Sequence, residues 1–166
     1  MTRGKRCIVD ATVLLDFIEG DIFNAFFSLP FEFLTSDIVA GEVSRSYSQD
    51  ELTSRGLIIV ELEEDEVLEI AALQSEHVAL SPNDLSVYLL ARKRSSLLIS
   101  GDGPLRNLAD FNEVEYHGTL WVLEEMVERK ILSQQNAASA LRTMLAGKRW
   151  LPRAECDKLI KKWESE

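Results

Sequence analysis

With 166 residues, 46% of them hydrophobic and 28% charged, the chain has the size and composition of one globular domain with a sizeable core. Its 28 acids against 18 Lys and Arg leave a net charge of −10, which excludes a protein that binds nucleic acid through a uniformly basic surface. No apolar run approaches the roughly 20 residues of a membrane span, the run after the basic opening MTRGKR is too short for a secretory leader, and Cys7 and Cys156 stand in no metal-ligand spacing. The expectation is a reduced, cytoplasmic protein that does not associate with membranes.

In chain order, Arg6–Asp10 predicts a strand ending on a carboxylate, and Thr12–Ile18 and Ile22–Phe27 predict helices. Phe31–Thr35 predicts the second strand, followed by a helix over Ile38–Tyr47. Leu57–Glu61 and Asp65–Glu76 repeat the strand–helix order. Ser81-Pro82-Asn83-Asp84 has the form of a capping box with Pro at the first helical position, so it opens a helix over Pro82–Arg94. Leu97–Ser100 predicts the fourth strand, Pro104–Asp110 a helix and Val114–Tyr116 the fifth strand. Such alternation implies parallel strands with helices on both faces. The runs CIV and LLIS lack polar alternation, as strands covered on both faces do.

After Tyr116 the pattern is helical, over Thr119–Leu132, Gln134–Leu145 and Arg153–Trp163. Leu120, Val122, Leu123, Met126, Val127 and Ile131 recur at helical spacing in the first of these. The division that follows is a domain over 1–132 and a C-terminal helical extension over 133–166, packing on that domain or on a partner. The hinge is the GKRWLP stretch from Gly147 to Pro152. Charge is uneven: Glu42 to Glu76 is acidic, while Arg92-Lys93-Arg94 and the C-terminal helices are basic. These clusters are either solvated helix faces or a local stripe that tracks phosphates.

Ligands of an open parallel sheet bind beyond the carboxyl ends of its strands. Asp10 ends the first strand, Asp102 follows the fourth, Asp84 lies in the first turn of its helix, and Glu42 lies one turn into the helix after the second strand. Each has a local explanation: Asp10, Asp84 and Asp102 as cap residues, Glu42 as a surface acid. Four acids at one sheet edge are less well explained that way. Clustered carboxylates raise one another's pKa unless a cation neutralises them, and oxygen donors suit Mg²⁺ or Mn²⁺. His77 and His117 are in no zinc spacing. Ions held there activate water and stabilise charge on a phosphodiester, and the Thr12 and Ser100 hydroxyls are placed to orient the cluster.

The stretches IVDATVLLD, TSDIVAGEV, SPNDLSVYLLARKRSSLLISGD and GDGPLRNLADFNEVEYHGTLWVL, in this order, resemble the PIN-domain family, which includes the VapC-type ribonuclease toxins of toxin–antitoxin pairs. The resemblance spans about Arg6 to Leu132 and is most specific from Ser81 to Asp102. It implies an α/β fold: a three-layer α/β/α sandwich around a central, mostly parallel sheet, here with five candidate strands. It also implies a Mg²⁺- or Mn²⁺-dependent endoribonuclease whose catalytic metal ligands are Asp10, Glu42, Asp84 and Asp102. Thr12 and Ser100 match hydroxyl positions that accompany those acids. The partners implied are an RNA substrate, an antitoxin protein and a second copy in a homodimer.

Two departures stand out. Ser100-Gly101-Asp102 replaces the Thr-x-Asp of many members, and Gly103-Pro104 stands where many carry a further acid. Asn107 and Asp110 are the candidates to replace that acid, with a weaker second metal position as the consequence. Arg106 is either a phosphate contact or half of a surface ion pair, and His117 is read as structural. The alternative is a PIN-like module that binds RNA or a protein without cutting, which the acidic charge and the missing acid favour. A phosphatase Asp-x-Asp motif fails at Thr12, and no Gly-x-Gly-x-x-Gly follows the first strand.

Overall fold

The computed structural model describes residues 4–165, so residues 1–3 and 166, at the outer ends of the two predicted segments, lie outside it. Five strands, β1 (Arg6–Val9), β2 (Glu32–Ser36), β3 (Ile58–Val60), β4 (Leu97–Ile99) and β5 (Tyr116–His117), form one parallel sheet in the order β3-β2-β1-β4-β5. The chain winds outward from β1 through β2 to β3, then returns to place β4 on the other side of β1. Cys7 therefore lies opposite Phe33 on one side and Leu97 on the other. That reversal is the switch point, and the crevice at the carboxyl ends of β1 and β4 is where such a sheet offers a ligand site.

Helices cover both faces in a three-layer α/β/α sandwich: α1 (Ala11–Glu19), α2 (Phe23–Phe26), α3 (Asp37–Val43), α4 (Gln49–Ser54), α5 (Glu64–Glu76), α6 (Pro82–Lys93), α7 (Gly103–Phe111), α8 (Thr119–Glu128), α9 (Gln134–Ala146) and α10 (Arg153–Glu164). α6 packs on β1, β2 and β4, and every residue from Leu85 to Ala91 is buried. Phe17, Phe26 and Phe33 form an aromatic cluster elsewhere in the core, with the rings of Phe26 and Phe33 stacked 4.1 Å apart. Both cysteines are buried and free.

The predicted Ile38–Tyr47 helix ends at Val43, because the Ser44 hydroxyl donates to the Gly41 carbonyl and competes with the helical ladder. The separate α4 was not expected. It starts on a capping box in which Ser48 and Glu51 bond each other's backbone. α8 stops at Glu128, short of the expected Leu132, where Lys130 takes the left-handed conformation (φ 61°). The last strand lies at Tyr116–His117, not Val114–Tyr116.

At the C-terminal end, α10 lies on α9 through Cys156, Ile160 and Trp163, and α9 packs against α1. The approach is close: a side chain on Gly20 would run into Met144, and one on Gly147 into Glu19. Among the described residues no helix is long and apolar enough to cross a membrane.

Candidate active site at the switch point

Asp10 is the innermost acid. The ladder continues one residue past β1, with the Asp10 N–H donating to the Ile99 carbonyl at 3.0 Å, and this carries the carboxylate into the crevice between β1 and β4. Asp10 then caps α1, its Oδ1 accepting the Val13 N–H at 2.9 Å. Its Oδ2 is buried and has no hydrogen-bond partner among the described residues. Burial pushes its pKa up to about 7, and the charges of Asp84 and Asp16 add to the rise. The Ser100 hydroxyl and the Val13 N–H pull the other way, although Ser100 completes no hydrogen bond to Oδ2. A buried carboxylate oxygen without a donor is an unstable arrangement on its own. It is the most informative atom in the crevice.

Asp102 caps α7 in the same manner, its Oδ2 accepting the Leu105 N–H at 3.0 Å while its own N–H donates to the Ser100 Oγ at 3.1 Å. Partial burial holds its carboxyl above the usual range, with Asp84 contributing. Asp84 completes a capping box with Ser81, accepting the Ser81 N–H through Oδ2 at 3.0 Å. Capping and convergence coexist: Asp84, in the first turn of α6, lies within electrostatic reach of both Asp10 and Asp102, which cap α1 and α7. Glu42 stands apart, exposed on α3, and accepts a hydrogen bond from the Asn83 side chain next to Asp84.

A buried seam of hydroxyls fixes this arrangement, and sequence reasoning missed it. Thr35 Oγ1 donates to the Val9 carbonyl at 2.7 Å, just before Asp10. The Ser36 and Ser86 hydroxyls meet at 2.7 Å and tie the start of α3 to α6, which carry Glu42 and Asp84 respectively. Ser and Thr at a strand end and on a helix's buried face carry no distinct sequence signal.

The other expected residues are scattered. Thr12 is half-buried and is held through its carbonyl by Arg149 Nη2 at 3.2 Å; among the described residues its hydroxyl bonds none of the acids. The Arg106 guanidinium lies over the Tyr116 ring, 4.7 Å from its centroid, in place of the surface ion pair considered above. Asn107 and Asp110 are exposed on α7. His117 stacks on Trp121 at 4.3 Å.

A fifth acid does sit beside the site, on α1. Asp16 is 2% exposed, accepts from Thr119 Oγ1 at 2.6 Å and pairs with Arg149 Nε at 2.7 Å. Burial raises its pKa against the pull of both partners. The available sequence signal was an acid inside the apolar stripe Val13, Leu14, Phe17 of one helix.

Among the described residues no three His, Cys, Asp or Glu side chains stand close enough together to ligate one ion. Mg²⁺ is commonly held by one or two carboxylates and several waters. The free Oδ2 of Asp10, with Asp84 within electrostatic reach of it and of Asp102, fits a hard divalent ion held mostly through water.

A family model described as a PIN domain matches residues 6–165. Among solved structures, the chain is similar to a PilT N-terminus domain protein from the archaeon Sulfolobus solfataricus, at 16% identity and a TM-score of 0.49, over 74% of this chain and 94% of that one. No curated protein matches the sequence.

Proposed function

The chain belongs to the PIN-domain family, whose members are generally nucleases, and from that premise we propose that it is a divalent-metal-dependent endoribonuclease. The observation that carries this reading is the buried Oδ2 of Asp10, without a partner among the described residues and within electrostatic reach of Asp84 at the switch point. Asp10 would hold Mg²⁺ or Mn²⁺ directly, with Asp84, Asp102 and Glu42 reaching the ion through water. When bound, the ion supplies positive charge that lowers the pKa of a water and stabilises the phosphorane-like transition state.

The chain's own residues set the conditions for that chemistry. Asp10 must lose its proton to act as a ligand, and its raised pKa makes metal binding a proton-releasing event near neutrality. Ser100 Oγ, accepting the Asp102 N–H, holds the loop between the two acids. Asn83 keeps Glu42 on the side of Asp84. Arg106, steadied by Tyr116, offers a guanidinium for the phosphate of a bound strand.

The test is cleavage of single-stranded RNA with Mn²⁺ and without it. Wild-type protein should cut only with the metal, while Asp10→Asn and Asp84→Asn should each lose at least about 100-fold in rate, the scale of removing an electrostatic stabiliser. Cleavage retained by both variants sinks the assignment. A toxin restrained by an antitoxin protein is a further part of this reading. Its check is growth arrest on expression of wild type but not of Asp84→Asn. A non-cutting module is the second reading, favoured by the net charge of −10, and RNA binding without metal-dependent cleavage would select it.

A further inference from the structure

Beside the acids lies a second concavity, of about 350 Å³, within the size range of small-molecule sites. Gly101, between Ser100 and Asp102, forms part of its wall, as does Thr12, two residues past Asp10, so it borders the acidic crevice. Arg106 and the stacked pair His117 and Trp121 line it from the sheet side. The opposite wall is Trp150, Leu151 and Pro152, from the connection between α9 and α10.

That wall is firmly built. α9 ends at Gly147, where any side chain would collide with Glu19 of α1. Lys148 takes a left-handed conformation at φ 63°, and Arg149 turns inward to bond Asp16 and the Thr12 carbonyl. With Arg149 anchored inward, Trp150 is left outward, 93% exposed at the rim of the cavity. The buried and half-buried phenylalanines, Tyr47 and Trp121 find ring partners, so an indole left in water beside a crevice has no packing explanation.

We propose that this cavity is a base-binding subsite for single-stranded RNA, in which Trp150 stacks on an unpaired base while Arg106 faces the neighbouring phosphate. The proposal rests on the nuclease reading above, because it sets the subsite along the strand that the acids cut. The chemistry agrees on each side. An exposed indole on a fixed backbone is a stacking platform that accepts any base. The nearby Asp16 is neutralised by Arg149 and does not repel the phosphate. Glu155, also in the lining, disfavours phosphate at its own side and leaves that side to the base.

Wild type, Trp150→Ala and Trp150→Phe are titrated in EDTA with fluorescein-labelled single-stranded RNA octamers and followed by anisotropy, with tryptophan quenching as a second signal. The side chain is exposed, so the variants fold. Trp150→Ala should bind about tenfold more weakly, the loss of one stacked base, and should lose most of the quenching; Trp150→Phe should recover most of the affinity. Equal affinity for wild type and Trp150→Ala overturns the subsite, and if wild type still cuts RNA with Mn²⁺, the nuclease reading stands without it. A wild type that neither binds nor cuts single-stranded RNA overturns both, and directs attention to a protein segment as the occupant of the cavity.

Discussion

Asp10 carries two duties with two oxygens. One caps a helix, and the other is buried with nothing to bond. Because its folded pKa, about 7, lies above the ordinary carboxylate value of 3.8, the native state holds a proton that the unfolded chain releases between those values. Stability without metal therefore falls as pH rises from about 4 to 7. Chemical denaturation in EDTA across that range should show the decline, and Asp10→Asn should flatten it, since the amide keeps the cap acceptor and carries no charge. Asp16 is the opposite case, because its charge is answered. Arg149→Ala would leave that carboxylate buried without its ion-pair partner, at a cost of about 3 kcal/mol. Urea unfolding measures it, and adding Asp16→Asn to Arg149→Ala should return much of the loss.

At the scale of elements, the strongest determinants are the helix starts. Ser81-Pro82 begins α6 where a capping box demands it, and Asp84, the other half of that box, lies within electrostatic reach of Asp10 and Asp102. A single helix turn thus does structural and chemical work together. The aromatic cluster is purely structural: Phe26→Ala should cost about 3–5 kcal/mol, with cleavage per folded molecule unchanged, as thermal melts and activity assays on the soluble fraction will show. The parallel sheet and the three central acids were legible because apolar runs without alternation and acids at strand ends leave plain traces. α4 was not legible, since its six residues, QDELTS, bury only Leu52 and show no helical period. The role of Asp16 was not legible either. Its partners Thr119 and Arg149 lie 103 and 133 residues away, and no local pattern records a contact at that distance.

For the whole molecule, the sheet order β3-β2-β1-β4-β5 concentrates chemistry at one edge while the net charge of −10 works against polyanions elsewhere. RNA binding should then depend on few cations. A slope of log K against log salt no steeper than about −2 is expected, three phosphate contacts at ~0.7 each for a single strand; a much steeper slope would point to a second basic surface, such as the C-terminal helices. Those helices are joined to the site, because α9 packs on α1 and the segment after α9 holds Asp16.

The Asp16–Arg149 pair also imposes an order in time. During synthesis the carboxylate is made before the guanidinium that neutralises it, which follows 133 residues later. Until then, the first helix carries an acid that cannot enter the core at low energy, so the helix cannot settle against its neighbours. The wall formed by Trp150, and with it the finished crevice, is completed only after Arg149 has been added. The crevice is thereby left unfinished until the connection between α9 and α10 exists.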